Sequence, residues 1–159
     1  MKRKNLRLNI LIVIAVVFLV GCSNQGNKAA VNSQGDSAQS VVEKNFQYKN
    51  EKNKDKLLTT LTEQWNAPNV LWGFENLDSI KIISIKEEKS EEIRNGYLKY
   101  GRGSMNGTIE NNLKVYKVKY KVKYKNDRLE TQGSGTYDCW YFLIRKDENS
   151  PWLIDDSGV

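Results

Sequence analysis

Apolar and polar positions follow three different rhythms along this chain, and each predicts a different kind of element. From Ile10 to Val20 eleven apolar residues stand in succession, with the small residue Gly21 after them. Ser23 to Ala38 then holds no aromatic residue and no periodicity, which predicts a flexible tether. Ser40 with Glu43 three positions on has capping-box spacing, and Val42 and Phe46, with Lys49 or Asn50, follow at helical intervals. Asn50 and Asn53 punctuate the pattern. Leu57, Leu58, Leu61 and Trp65 then mark one stripe of a second helix, stopped by Asn66-Ala67-Pro68-Asn69.

The second half changes period. Val70 to Phe74 fits a short strand or a loop equally well, with Trp72 and Phe74 placed to plug the end of a core. The β-branched run Ile80 to Glu87 predicts a strand, Ser90 to Tyr100 a short helix, and Gly101 to Gly107 a loop. Leu113 to Tyr124 carries the cleanest signal. Tyr116, Val118, Tyr120, Val122 and Tyr124 alternate with Lys117, Lys119, Lys121 and Lys123, so one face is buried and the other wet. After a turn at Lys125-Asn126-Asp127, Tyr137 to Arg145 is apolar on both faces and reads as a central strand. Asp147 to Ser150 turns the chain, Pro151 opens the last strand, and Trp152 to Asp155 closes it. Helices first and mainly antiparallel strands afterwards predict an α+β fold.

Charge adds an address more than a partner. The chain has 25 basic and 19 acidic residues, net +6, but Lys2, Arg3, Lys4 and Arg7 all precede the apolar run. Without those four the balance falls to +2, which argues against a nucleic-acid partner. A basic start, an apolar stretch and a small residue make the three-part plan of a secretory signal. Eleven apolar residues fall well short of the roughly 20 needed to span a bilayer.

Leu19-Val20-Gly21-Cys22 resembles the lipobox of bacterial lipoproteins, in which the cysteine thiol takes a diacylglyceryl group and the preceding peptide is removed. The resemblance implies a signal peptide over 1–21, a lipidated Cys22 and tether over 22–39, and one α+β domain over 40–159, held by its lipid on the extracytoplasmic face of the cell membrane. The competing reading is an uncleaved anchor in which Cys22 is an incidental thiol. A tether of sixteen residues, Ser23 to Ala38, spans about 20–25 Å as a random coil, keeping the domain near the surface. With Cys22 blocked, Cys139 has no intramolecular partner and reads as a small buried hydrophobe.

The element order, together with the final hairpin of Trp140-Tyr141-Phe142-Leu143-Ile144-Arg145 and Pro151-Trp152-Leu153-Ile154-Asp155-Asp156, resembles the nuclear-transport-factor-2-like (SnoaL-like) cone. More closely, the chain is similar to Gram-positive lipoproteins carrying a domain of unknown function with this fold. The resemblance covers about Ser40 to Val159. It implies N-terminal helices wrapped by a curved, mainly antiparallel sheet, and a pocket at the wide end for which Tyr120, Tyr141, Trp140 and Asp155 are the candidates. A non-enzymatic domain is expected, whose pocket holds a small apolar ligand, a peptide or a partner protein of the envelope. The alternative is an isomerase- or dehydratase-type enzyme using Asp155 or Asp156 with Tyr120 or Tyr141. The chain contains no histidine, and a solvated strand end is the favoured reading of the aspartate pair.

The remaining signals are weak. Glu87-Glu88 and Glu91-Glu92 lack the His or Cys of a transition-metal site, and neither a cofactor nor a catalytic metal is expected. Gly101-x-Gly103 and Gly133-x-Gly135 lack the helix a phosphate cradle requires. The lysine row Lys117 to Lys123 could meet anionic headgroups, though a solvated face protecting a strand is the commoner cause. The tyrosines lie opposite those lysines, so aromatics cannot interleave with them on a nucleic acid. The four tryptophans, Trp65, Trp72, Trp140 and Trp152, are read as core and not as a ligand cage.

Overall fold

The computed structural model describes residues 36–158; the proposed signal, Leu19, Val20, Gly21, Cys22 and most of the tether lie outside the described residues. Four antiparallel strands form one sheet in the order β1-β2-β3-β4. They are β1 (Leu77–Glu87), β2 (Leu113–Tyr124), β3 (Gly135–Ile144) and β4 (Leu153–Gly158). Helices precede β1 as α1 (Ala38–Asn50) and α2 (Lys54–Leu58), and lie between β1 and β2 as α3 (Glu91–Asn95) and α4 (Arg102–Asn106). The α+β expectation holds, and β2 spans the residues its alternation predicts. Among the described residues no helix is long and apolar enough to cross a membrane.

Period two explains why the sheet buries two different cores. The even residues of β2 (Tyr116, Val118, Val122) join Tyr141 and Leu143 of β3 beneath Val41, Val42 and Phe46 of α1. Leu113 and Val115, on the other face, pack with Trp140, Phe142 and Ile144 under Tyr97. Among the described residues that second face is covered only at one end. Farther along, the same odd positions are the exposed Lys117, Lys119, Lys121 and Lys123. A register shift between Ile82 and Ser84 lets Ile80, Ile82 and Ile85 all face α1 and leaves Ile83 outside.

Several local expectations are corrected. Helix α1 is capped by Ser37, whose Oγ accepts from Ser40 N at 3.2 Å, one turn before the expected cap at Ser40. The Leu57-Leu58-Leu61-Trp65 stripe is not one helix, because α2 stops at Leu58. Residues 60–62 instead run beside β4: Ile154 N donates to Thr60 O and Thr62 N to Ile154 O, both at 2.9 Å. Backbone pairing with an otherwise bare strand edge outcompetes continuation of the helix. The expected loop at 101–107 contains α4, closed by Gly107 in the left-handed region (φ 74°). The last strand starts at Leu153, beyond Pro151.

Asn50 ties the end of α1 to the outer strand. Its Oδ1 accepts from Ile80 N at 2.8 Å while its Nδ2 donates to Ile80 O, occupying both peptide groups of one residue of β1. Asn50→Ala is expected to lower unfolding free energy by about 1–2 kcal/mol in urea titrations, the worth of two such bonds. A loss below a few tenths would show that water replaces the amide.

Candidate functional site

The four residues nominated from sequence do not line one pocket. Tyr120 and Tyr141 lie under α1, packed on Phe46 with ring centroids 5.5 and 5.7 Å apart. Trp140, one residue from Tyr141 on a strand, points to the opposite face, where Lys117 Nζ sits 5.3 Å from its ring centroid. One aromatic ring therefore shares the lysine face, contrary to expectation. Burial holds the Tyr141 hydroxyl well above its ordinary pKa and pushes that of Tyr120 up to about 12.

Asp155 corrects the reading of a solvated strand end. It is only 3% exposed and sits where the β3–β4 register slips between Phe142 and Leu143. Its Oδ2 accepts from Tyr97 Oη at 2.7 Å, Asn106 Nδ2 at 3.1 Å and Arg102 Nε at 3.3 Å. Oδ1 accepts from Thr62 Oγ1 at 3.0 Å and Gln64 Nε2 at 3.2 Å, and the backbone oxygen takes Trp65 Nε1 at 3.0 Å. One carboxylate thus joins β4, the 62–65 segment, the π-helical turn Gly96–Tyr100 and α4. Tyr97 stacks on Phe142 at 4.8 Å, and burial, reinforced by the bond to Asp155, raises its pKa well above the phenol range. Gly103 lets α4 cross that ring: a Cβ there would stand 2.7 Å from Tyr97 Cε1.

Asp155 does meet a tyrosine hydroxyl, but that of Tyr97 and not of the nominated Tyr120 or Tyr141. Sequence reasoning missed Tyr97, Arg102 and Asn106 because they stand in a short polar helix and a glycine-rich stretch without periodicity. An acceptor already met by five side-chain donors is built to hold segments together. Among the described residues no group of three or more His, Cys, Asp and Glu could hold a metal.

A pocket of about 100 Å³ opens elsewhere, between the last turns of α1 and strands β3 and β4. Asn45 and Lys49, one helical turn apart, form its polar side; Leu61, Trp65, Trp72 and Tyr141 form much of the rest. Two of the tryptophans assigned to the core thus border a cavity. Lys49 Nζ stands 5.5 Å from the Phe46 ring centroid and 5.8 Å from that of Tyr141. Among the described residues it has no carboxylate partner within 4 Å. Burial draws its pKa down to about 8. The amine therefore stays mostly protonated at pH 7 and presents a positive charge with no carboxylate against it among the described residues.

Two buried polar atoms of the same pocket residues lack partners: Asn45 Oδ1 and Trp72 Nε1. The orientation of the Asn45 amide follows from its neighbours. Thr60 Oγ1 spends its only proton on Leu57 O at 2.6 Å, so it can only accept, at 2.9 Å, from Asn45 Nδ2. The amide oxygen is left for another donor. An unpaired buried donor or acceptor costs about 1–3 kcal/mol, and with less than 1 Å² of accessible surface each, these two atoms are closed off from the cavity itself.

The model of the family described as Domain of unknown function (DUF4829) matches residues 39–158. No curated protein and no solved structure matches the chain.

Proposed function

The chain belongs to the DUF4829 family, whose description names no activity, and from the site itself we propose that it is a lipid-anchored ligand-binding domain on the extracytoplasmic face of the cell membrane. The anchor reading rests on the basic start, the apolar run and Leu19-Val20-Gly21-Cys22. The binding reading rests on one observation: the pocket beside Lys49 combines aromatic walls with an amine that has no carboxylate partner among the described residues. Helices against one face of an antiparallel sheet, with a pocket near their end, are also the arrangement implied by the cone resemblance.

The isomerase-type reading draws support from the 2.7 Å contact of Tyr97 Oη with Asp155 Oδ2. It is the weaker of the two. Neither residue borders the Lys49 pocket, and the carboxylate has no acceptor position obviously left for a substrate proton.

Two experiments test the proposal. Cys22→Ala is expected to stop processing and to remove the lipid-dependent membrane fraction, because two acyl chains are needed for stable anchoring. A variant processed to the same size and retained identically contradicts the anchor. Native mass spectrometry of the full chain, extracted in mild detergent, is expected to show a small-molecule adduct that Lys49→Met loses. Identical spectra for the two proteins, without an adduct, contradict the binding domain.

A further inference from the structure

We propose that the sheet face turned away from α1 docks on anionic lipid headgroups of the membrane that carries the chain; this rests on the anchor reading above. Antiparallel pairing sets Lys81 of β1 opposite Lys121 of β2 and Lys86 opposite Lys117, while Lys119 and Lys123 continue the row along β2. Residues opposite each other across a ladder point to the same side, so six exposed lysines share one face. Among the described residues five of them have no carboxylate within 4 Å, and Lys123 alone is paired, with Asp78 at 3.1 Å. The other acids nearest the row are Asp138, opposite Lys119, and Glu88, whose carboxylate accepts from Trp140 Nε1 at 3.3 Å. The face therefore carries a clear excess of positive charge.

This arrangement costs the fold stability, because lysines directly opposite each other on a sheet repel and two such pairs are present. Charged rows commonly guard a bare strand edge against pairing with other chains. β2 lies between β1 and β3, so its lysines guard no edge. An anionic surface offsets the repulsion, and each lysine held near such a surface strengthens attachment about fivefold. Ile83, 54% exposed at the register shift next to Ser84, adds an apolar side chain of the kind an interfacial surface buries. Reach makes the chain's own membrane the occupant. Thirteen residues, Ser23 to Gly35, separate Cys22 from the first described residue, and they extend at most about 45 Å. An anchored domain meets its own headgroup layer at high effective concentration, so attraction acting over only about 10 Å suffices.

Lysine labelling of the full chain in vesicles tests the docking. The chain is reconstituted in phosphatidylcholine, alone or mixed equally with phosphatidylglycerol, treated briefly with an amine-reactive ester and read by peptide mass spectrometry. Lys117, Lys119 and Lys121 are expected to react at least about fivefold more slowly on the anionic vesicles, and to recover in about 0.5 M salt. Lys52 and Lys54, exposed where α1 gives way to α2, should keep their rates. Lys119→Gln with Lys121→Gln is expected to weaken docking about twenty-five-fold and return Lys81, Lys86 and Lys117 to their rates on phosphatidylcholine. Lys52→Gln with Lys54→Gln should leave the row protected. Equal rates on the two vesicles overturn the proposal, as does protection that the Lys119 and Lys121 double variant retains. If soluble polyphosphate protects the row on phosphatidylcholine as fully as phosphatidylglycerol does, the face belongs to a free polyanion and the headgroup assignment is overturned. Unprotected lysines alongside the expected Cys22→Ala result end the docking and leave the anchor. Protected lysines alongside an unchanged Cys22→Ala protein end the anchor and leave the docking.

Discussion

Replacing Asp155 with alanine is expected to cost about 3–5 kcal/mol of unfolding free energy, the largest loss from any single substitution considered for this domain. The carboxylate is buried and carries no catalytic duty in the proposed function, so the effect belongs to folding. Alanine leaves Tyr97 Oη, Arg102 Nε, Asn106 Nδ2, Thr62 Oγ1 and Gln64 Nε2 without their acceptor. An abandoned buried donor costs more than the bond it formerly made contributed. Domains of ordinary size hold only about 5–15 kcal/mol in reserve, so Asp155→Ala should melt far below the parent or fail to accumulate. Tyr97→Phe removes the bond to Asp155 and the longer one accepted from Asn106 Nδ2 at 3.3 Å but keeps the ring on Phe142, and about 1–2 kcal/mol is expected. Asp156→Ala is the control: half-buried, its carboxylate meeting only the neighbouring Ser157 N–H among the described residues, it should change stability by less than about 1 kcal/mol. Urea denaturation of the three variants checks the ranking. Equal losses at Asp155 and Asp156 would return the pair to the solvated strand end read from sequence.

Lys49→Met is expected to do the opposite. It should stabilise the domain while abolishing the small-molecule adduct. An unfolded lysine titrates near 10.5, whereas burial places Lys49 at about 8, so the folded state binds the proton less tightly than the unfolded one. Below pH 8 both states are protonated and the whole burial penalty is present. Between 8 and 10.5 the folded amine is neutral and the unfolded one still charged, so wild-type stability rises with pH relative to the variant. Partial contact with solvent discounts the penalty to about 2–3 kcal/mol at pH 7. The variant should therefore lead by about that amount at pH 7, and its lead should shrink as pH passes 8 toward 10. The other titratable groups nearby are Cys139, Tyr141 and Tyr120, all raised by burial. They are present in both proteins and largely cancel in the difference. A lead that does not vary with pH would mean that the amine is solvated.

Legibility in the sequence followed the reach of each signal. Period two across Leu113 to Tyr124 marked β2 to the residue, because a strand with one wet face repeats a local rule at every position. The same alternation could not reveal that Leu113 and Val115 lie under Tyr97, since a second cover comes from a distant segment. The helical stripe at Leu57, Leu58, Leu61 and Trp65 failed for the same reason: Leu61 pairs with Ile154, 93 positions away. Asp155 was nominated for chemistry and discounted as solvated. Its donors are scattered from Thr62 to Asn106, and nothing in their spacing announces a common acceptor. Alternation put Tyr120 on the buried face where it lies, whereas Tyr141, on a strand apolar on both sides, carried no signal of which face it takes. The site itself turned on Lys49, which the helical spacing put on the stripe with Val42 and Phe46 without a role, and on Asn45, which the hydrophobic pattern passed over.

A pH titration of the Lys49 side-chain NMR resonances, without and with saturating propionate, a small acid whose anion an unpaired ammonium attracts, tests the central claim most directly. An anion bound against the ammonium must favour its protonated form, so the midpoint should climb from about 8 toward 10 while exposed lysines stay put. A midpoint that is unchanged at saturation would show that the acid binds elsewhere and that the pocket beside Lys49 is not the binding site.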